Sequence, residues 1–470
     1  MKYDLTVGLE IHAELNTQTK LFCGCKNDPF GSEPNANLCP ICLSYPGVKP
    51  LTNRHAVELA IMAGHAFDCK IDNILLFERK HYNYPDIPKG YQTSQDLRPI
   101  CKGGHVVLGN SGKKINLNRI HLEEDAGKLV HDEVKGQSLL DLNRGGVPLI
   151  EMVTEPDFTT AKDAVEFLEE VRSRLVFSGV ADCRMEQGGM RCDVNISIKP
   201  KGTKKLGDRV EIKNLNSFKS VERAIEFEYN RQVDLLEKGK TIATETRRWN
   251  DGGGNTIAMR KKETAHDYNY MIDPNIPVVA IASKEVKALK DKMPPLAHHM
   301  RTIFTTEFGL SPYEAEILTR EKSICDFFVA SLKLIDEPKK VANWLLNHVL
   351  AMATNFEFQI TPVQFVDVIK LTDAKKITKQ NSLVLLEEIW GKADSAEALA
   401  KKLGIMGGVS EEEIKKIIAE LLKQNPKAVA DYTSTPDKVI NFFMGQVMKQ
   451  TKGMADSEVV KGMLSTLLSS

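Results

Sequence analysis

The sequence predicts an α+β protein: an antiparallel-sheet domain, followed by an all-helical connector and a small helical tail domain. Two observations indicate this order. Short apolar–polar alternations, typical of half-buried strands, fill a Gly-, Asn- and Pro-rich part that ends near Met293. Helical periodicity then continues to a second break at Gly404, and a Lys-rich helical stretch closes the chain. We therefore expect three domains, at residues 1–293, 294–403 and 404–470.

The first strand pattern covers residues 3–15. Every odd position in it is apolar or small, and every even position is polar or Gly. Because the side chains of a strand alternate between its two faces, we expect Glu10, His12 and Glu14 on one face. A carboxylate, an imidazole and a second carboxylate in one row are candidate ligands for a metal ion.

The same alternation recurs in two later strands. Asp193 and Asn195 alternate with apolar residues in one of them, and Glu211 and Lys213 do so in the other. If these strands join the first in one sheet, their polar sides form one face able to bind a metal, which we call the cradle. The alternative is the solvated outer face of an antiparallel sheet, although such faces are usually richer in Lys and Thr.

Two helices interrupt the strand patterns of the first domain. One follows Thr160, which begins a Thr-x-x-Asp sequence resembling a capping box, and it ends at Gly179. The other covers residues 220–236. In the connector, residues 339–352 repeat apolar side chains at helical spacing and are typical of the helices expected there.

Four cysteines occur as two pairs on tight turns. Cys23 and Cys25 flank a Gly, and Cys39 and Cys42 form a Cys-x-x-Cys pair. Four thiolates on two turns suit tetrahedral zinc and leave no position for water, so the predicted site is structural. One alternative is two pairs of buried free cysteines. The other is a redox dithiol, which fits less well because no βαβ pattern surrounds Cys39 and Cys42.

Acidic residues are concentrated between positions 123 and 157, namely Glu123, Glu124, Asp125, Asp141, Glu151, Glu155 and Asp157. Carboxylates grouped in one site repel each other unless a cation lies among them, and oxygen ligands favour Mg²⁺. The sequence contains no Gly-x-x-x-x-Gly-Lys-Ser/Thr motif, so ATP would bind outside the P-loop class. Candidate phosphate contacts, each also interpretable as a solvated side chain, are Lys128, Arg144 and Arg191.

The overall charge excludes a global attraction to nucleic acid or membrane, because Lys plus Arg and Asp plus Glu both number 63. The first strand begins at Tyr3, leaving no room for a signal peptide, and no apolar run approaches the ~20 residues of a membrane span. Nine cysteines, four of them in paired motifs, suit a reducing compartment. We expect a cytoplasmic protein.

Six ordered motifs, at residues 8–15, 84–92, 121–128, 142–151, 191–195 and 211–218, carry a resemblance that extends over the whole chain. They are similar to those of the B subunits of bacterial tRNA-dependent amidotransferases. The resemblance implies an enzyme that uses ATP and Mg²⁺ to phosphorylate the side-chain carboxylate of Glu-tRNA(Gln) or Asp-tRNA(Asn). It further implies a heterotrimer, in which the amidase (the A subunit) delivers ammonia from glutamine, a small C subunit joins the two, and the helical tail binds tRNA.

The resemblance also assigns roles to individual residues. It makes His12, Glu124 and Glu151 the Mg²⁺ ligands, with Glu10 as nearby support. It places the catalytic phosphoryl-transfer pocket at Asp193, Glu211 and Lys213.

The chain departs from the family pattern mainly in its segment 267–275. Asn269 stands where the family usually has Arg, Met271 and Asp273 also differ, and His81 is a further departure. The loss of a guanidinium from a phosphate or carboxylate pocket is not conservative, so these changes bear on substrate preference. The rival hypothesis is a tRNA-binding zinc protein with a lapsed cradle, which should have lost some of the charged residues that this chain retains.

Overall fold

The structure is a computed structural model that describes residues 2–132, 135–259, 269–407, 411–433, 435–451 and 453–469. The chain forms two compact units, one up to Ala297 and the other from His298. The first combines sheets with a few helices and the second is helical, which confirms the predicted α+β class. No helix of the described ranges is long and apolar enough to cross a membrane.

The strands of the described residues lie in the first unit and form one large sheet and three small ones. The order in the large sheet is β15-β14-β13-β12-β1-β11-β8-β6-β2, with β7 paired to β8; β9 pairs with β10, β4 with β5 and β16, and β3 with β17. Their bounds are β1 (Tyr3–Glu14), β2 (Lys70–Ile71), β3 (Ile74–Leu75), β4 (Glu78–His81), β5 (Tyr91–Ser94), β6 (Cys101–Lys102), β7 (His105–Val107), β8 (Lys114–Glu124), β9 (Lys128–Asp132), β10 (Gln137–Asp141), β11 (Pro148–Thr154), β12 (Met190–Pro200), β13 (Val210–Leu215), β14 (Glu245–Asn250), β15 (Asn255–Ala258), β16 (Tyr270–Ile272) and β17 (Val279–Ala280).

The α-helices of the described ranges occur as four in or next to the sheet domain and eleven after them. Their bounds are α1 (Arg54–Ala66), α2 (Ala161–Phe177), α3 (Phe218–Glu237), α4 (Ser283–Lys292), α5 (Ala297–Thr306), α6 (Pro312–Leu318), α7 (Lys322–Leu332), α8 (Pro338–Trp344), α9 (Pro362–Asp373), α10 (Lys379–Ile389), α11 (Ala396–Lys402), α12 (Glu411–Gln424), α13 (Pro426–Ala430), α14 (Pro436–Gln450) and α15 (Ser457–Ser469).

Strand β1 lies in the middle of the large sheet, between β11 and β12. Its odd-numbered side chains Val7, Leu9 and Ile11 are buried, as the alternation predicts. Helices α1 and α3 contact the sheet, and α2 packs against both of them. The apolar sides of the strands are thereby removed from water, and the polar side of β1 is left for the site.

One pairing in the large sheet is parallel, although the sequence predicts an antiparallel sheet. Strands β13 and β14 run in the same direction, with Glu211 opposite Thr246. The connection between them contains α3, and a crossover of this length is what a parallel pair requires. The other registers of the large sheet are antiparallel.

The two helices predicted in the first unit are present. Thr160 caps α2 by accepting a hydrogen bond from the Asp163 N–H at 3.0 Å, and Gly179 follows its end with φ +76°. Ser217 caps α3, which begins two residues before the predicted start. In the second unit α8 continues as a π-helical turn, Leu345–Val349, rather than as an α-helix.

Helices α12, α14 and α15 at the end of the chain enclose a hydrophobic core of their own. Its fully buried members include Ile418, Phe443, Val447 and Leu464. Amphipathic helices of this kind gain their stability mainly from such packing. A separate tail domain beginning at residue 404 stays a prediction.

Candidate functional site

The polar side of the large sheet brings two imidazoles and one carboxylate into a single row. His12 of β1 lies opposite Glu151 of β11, and Glu151 lies opposite His121 of β8. Glu151 Oε2 is 3.3 Å from His12 Nε2 and 3.5 Å from His121 Nε2. His12 is more than 100 residues from both of its partners, so only the sheet register unites the three side chains.

Two further carboxylates complete this group. Glu123 lies 3.8 Å from His12 Nε2 and 3.3 Å from His121 Nε2, and Glu10 lies 4.0 Å from His12 Nε2. Glu10, His12 and Glu151 form one set of candidate metal ligands, and His121, Glu123 and Glu151 form another. We call these five residues the acid–imidazole cluster.

Protonated imidazoles balance the negative charge of the carboxylates in the cluster. Burial by itself would lower the pKa of His12, but the hydrogen bond and charge of Glu151 raise it to about 9. The pKa of His121 is raised against the effect of burial, by the charge of Glu151 and by Glu123. Burial also opposes ionisation of Glu151, yet His121 and His12 lower its pKa below the usual value. A divalent cation would replace these protons as the source of positive charge.

Glu124, predicted as a metal ligand, does not lie in this cluster. Its carboxylate accepts hydrogen bonds from Lys89 and from the Thr93 N–H, and the side chain is buried. Glu123 is the acid of β8 that joins the cluster. The phase of the strand explains the difference, since Glu124 follows Ile120 and Leu122 on the apolar side.

His121 and Glu123 are the two cluster residues that the sequence reasoning did not select as ligands. A signal for them is present in the sequence. From position 119 onwards the odd residues of β8 are polar and the even residues Ile120 and Leu122 are apolar. Counting from these two apolar residues puts His121 and Glu123 on the polar side.

Next to the cluster a lysine lies between two acids. Lys213 Nζ is 2.6 Å from Asp193 Oδ2 and 2.9 Å from Glu211 Oε1. Burial would lower the pKa of Lys213, but these two carboxylates raise it above its usual value, and the amine stays charged. Asp193 lies opposite Glu10 in the register of β12 and β1, which joins this group to the cluster. The three strands of the predicted cradle therefore do share one sheet.

Two of the three predicted phosphate contacts meet on one acid. Arg191 donates to Asp125 Oδ2 at 2.7 Å, and Arg144 Nε lies 3.5 Å from the same oxygen. Arg191 also lies opposite His12 in the sheet. Lys128, the third, is exposed at the start of β9.

The four cysteines of the two turns lie together, with their sulfur atoms within 4.8 Å of one another. The Sγ atoms of Cys39 and Cys42 are 3.8 Å apart, which is far beyond a disulfide bond and close to the edge of a ZnS₄ tetrahedron with bonds of about 2.3 Å. A hydrogen bond from Cys23 lowers the pKa of Cys42 to about 5, although burial acts in the opposite direction. The donor set fits a structural zinc ion.

The departures from the family pattern lie around β16. Asp273 is 2 % exposed and forms an ion pair with Arg79, at 3.1 Å between Oδ2 and Nε. Asn269 is exposed, and its backbone carbonyl oxygen lies 2.8 Å from His81 Nδ1. Met271 is also exposed. Residues 267 and 268 of the same motif lie outside the described part of the chain.

The class of protein follows from two family models. The model of the GatB/GatE catalytic domain matches residues 5–287, and that of the GatB domain matches residues 326–468. The chain is thus a GatB/GatE catalytic domain followed by a GatB domain.

Full-length relatives define the family more closely. The chain is 42% identical to the B subunit of the aspartyl/glutamyl-tRNA(Asn/Gln) amidotransferase of Thermoanaerobacter sp. (strain X514), with 100% of both chains covered. The protein of the same name from Thermodesulfovibrio yellowstonii is 41% identical, again over 100% of both chains. The one from Brevibacillus brevis is 40% identical over 100% of this chain and 99% of its own. The chain belongs to the family of aspartyl/glutamyl-tRNA(Asn/Gln) amidotransferase B subunits.

Proposed function

We propose that this chain, as the B subunit of a tRNA-dependent amidotransferase, uses ATP to activate the side-chain carboxylate of Glu-tRNA(Gln) or Asp-tRNA(Asn). The carboxylate oxygen attacks the γ-phosphorus, ADP leaves, and an acyl phosphate forms. Ammonia then attacks the acyl carbon, inorganic phosphate leaves, and the amide of Gln-tRNA(Gln) or Asn-tRNA(Asn) remains. The observation that carries the proposal is the acid–imidazole cluster beside Lys213 on one sheet face.

Magnesium is the cation that we assign to the cluster. Within it Glu10, His12 and Glu151 would supply the ligands, and Glu123 and His121 would adjoin them. Carboxylates together with a phosphate oxygen are typical of Mg²⁺ sites that handle nucleotides. When bound, the ion would neutralise charge on the phosphoryl group during transfer.

The chain's own cations would orient the phosphates and the acceptor carboxylate. Asp193 and Glu211 hold the Lys213 ammonium, which would bind an oxygen of the transferred group. Arg191 and Arg144 would meet the remaining phosphates. Preorganised charges of this kind commonly contribute the largest part of phosphoryl-transfer catalysis.

The zinc ion that we assign to the four cysteines has a structural role. Cys23, Cys25, Cys39 and Cys42 offer four thiolates and no open position. We assign ammonia supply from glutamine to a separate amidase, the A subunit, which a small C subunit joins to this chain. The helical tail would bind tRNA through Lys449 and Lys461; Lys452, between them in the sequence, lies outside the described residues.

The rival interpretation, a tRNA-binding zinc protein with a lapsed cradle, is not favoured. A lapsed site loses its charged groups, whereas Glu10, His12, Glu151, Asp193 and Lys213 are present and mutually in contact or adjacent. The full-length similarity to amidotransferase B subunits also favours the active interpretation.

The test is amidation by the chain assembled with its amidase and its small third partner, using [γ-³²P]ATP and ammonium chloride as the nitrogen source. We expect phosphate release and amide formation that require ATP and either Glu-tRNA(Gln) or Asp-tRNA(Asn). Lys213→Met should reduce both by at least about 100-fold, and the exposed Lys201→Met is the matched control. Absence of ATP-dependent amidation on both tRNAs by a complex that binds them would reject the proposal.

A further inference from the structure

The cradle face of β8 carries a guanidinium that the functions assigned above do not use. Arg119 lies two residues before His121 and therefore on the same face of the strand. Its Nε atom is buried and has no hydrogen-bond partner, and no ion pair joins it to a carboxylate among the described residues. Buried donors without partners are uncommon, so Arg119 suits a ligand that carries acceptor oxygens.

An irregularity in the sheet directs Arg119 to this face. The register of β8 with β11 shifts between Val153 and Thr154, directly after the pair formed by Val153 and Arg119. On the other side of the shift, the odd-numbered residues Ile115 and Leu117 of β8 are buried on the apolar side. Arg119 is also odd-numbered and would share that side in a regular strand. Irregularities of this kind are frequent next to active sites, where they re-aim a side chain.

The row of register partners that contains Arg119 crosses the cradle from one flank to the other. Along this row Asp193 lies opposite Glu10, Glu10 opposite Val153, and Val153 opposite Arg119. Lys213 contacts Asp193 at 2.6 Å and marks the other flank. Strands β12 and β8 are three positions apart in the sheet, which separates them by about 14 Å. The two cations therefore lie on opposite sides of the acid–imidazole cluster.

Tyr270 of β16 borders the same flank as Arg119. Burial raises the pKa of the Tyr270 hydroxyl, and the charges of Asp96 and Glu151 act in the same direction, whereas the charge of Arg119 opposes them. The hydroxyl stays protonated and lies within electrostatic range of both Arg119 and the cluster. Two hydrogen-bond donors, one of them charged, thus adjoin the metal ligands on the β8 side.

We propose that Arg119 binds the side-chain carboxylate of the aminoacyl-tRNA, so that this acceptor enters the cradle at the β8 flank. The inference rests on the proposed function, in which Lys213 and Arg191 hold the phosphates at the other flank. In phosphoryl transfer the attacking and leaving oxygens lie roughly in line across the phosphorus, so acceptor and nucleotide need opposite flanks. Arg119 binds one carboxylate oxygen, and the other attacks the γ-phosphorus as ADP leaves. Val153, the apolar member of the row, contacts the methylene groups of the acceptor.

A phosphate of the tRNA backbone or of the nucleotide offers the same acceptor oxygens to a guanidinium. We assign the carboxylate because it is the reactant that must reach the cluster from this flank. The experiment separates these sources by comparing ligands that differ only in that carboxylate.

The experiment measures the affinity of the assembled complex, in Mg²⁺ without ATP or glutamine, for Glu-tRNA(Gln) and Asp-tRNA(Asn) and for their amides Gln-tRNA(Gln) and Asn-tRNA(Asn). Arg119→Met should weaken binding of the substrate acid about tenfold, because it removes a charged hydrogen bond, and should change binding of the amide less than about twofold. Arg119→Lys keeps the charge but loses the forked donors, so its effect should be smaller. Lys102→Met removes the exposed register partner of Arg119 on β6 and is the matched control that should change neither.

The outcomes separate the possible failures, and unchanged binding of the amide shows that the variant is folded. If Arg119→Met weakens acid and amide equally, Arg119 contacts the tRNA itself and the proposal is overturned. If it leaves both unchanged, or weakens ATP binding instead, the carboxylate assignment is wrong. If the wild-type complex amidates neither tRNA with ATP and ammonia, the proposed function itself fails.

Discussion

Two adjacent acids of β8 provide the sharpest test of the cradle, because one strand places them on opposite faces. We consider Glu123→Gln and Glu124→Gln, which are nearly isosteric and remove the same charge. Glu123 is 2 % exposed and lies 3.3 Å from His121 and 3.8 Å from His12. Glu124 is paired with Lys89 on the other side. The family resemblance predicts metal loss for Glu124→Gln, whereas the geometry of the cluster predicts it for Glu123→Gln.

The magnitudes follow from what each carboxylate touches. Removal of a group that contacts or supports metal ligands typically reduces metal affinity about 10–100-fold, which we expect for Glu123→Gln. Glu124→Gln leaves the Lys89 ammonium without its carboxylate. Breaking a buried pair in this way costs about 3–5 kcal/mol of stability. The lower end is expected, because Lys89 keeps the Thr93 hydroxyl at 3.1 Å and lies 5.0 Å from the centre of the Tyr91 ring.

The assay is Mn²⁺ binding by electron paramagnetic resonance, with Mn²⁺ in place of Mg²⁺, together with urea unfolding of the metal-free protein. The variants should separate cleanly: Glu123→Gln loses Mn²⁺ affinity, and Glu124→Gln keeps it within about threefold but is less stable. Zinc content is measured in parallel, as a check that the four-cysteine site is intact. Loss of Mn²⁺ by Glu124→Gln, with retention of Mn²⁺ by Glu123→Gln, would refute the placement of the metal beside Glu123.

Three further predictions concern other parts of the molecule. Cys39→Ser should lose the single equivalent of zinc expected in protein purified without added metal, and should unfold at lower temperature; wild-type protein without zinc would contradict this. Burial raises the pKa of Glu14 from 4.5 to about 7, and the charge of Asp125 acts in the same direction. The stabilisation of the fold by protonated Glu14 is therefore complete below about pH 4.5 and is lost as the pH rises through 7. Unfolding in EDTA should therefore show Glu14→Gln gaining up to about 3 kcal/mol over wild type at pH 8 and little at pH 4, and parallel pH profiles would exclude the effect. Deletion of residues 409–470 should raise KM for tRNA while sparing ATP hydrolysis at saturating tRNA, and an unchanged KM would show that the tail does not bind tRNA.

Local chemistry alone was enough to predict much of this protein. The alternation in residues 3–15 assigned Glu10 and His12 to one face, because the direction of a side chain in a strand depends only on its position along that strand. Thr160 and Gly179 marked the ends of α2 in the same way, since caps act within a single turn. The pairing of Cys39 with Cys42 is likewise set by one tight turn.

Only the tertiary structure decided which distant residues meet. The register of β1, β11 and β8 joins His12, Glu151 and His121, and nothing within any one strand specifies it. The structure places Glu123 beside His12 and His121, whereas Glu124, which the family resemblance assigned to the metal, lies against Lys89. The apolar phase of β8 changes where its register with β11 shifts between Val153 and Thr154, from the odd positions Ile115 and Leu117 to the even positions Ile120 and Leu122. Periodicity is a property of one strand, whereas register depends on the neighbouring strand. The residues of the site come from different strands, so their register decides which of them meet.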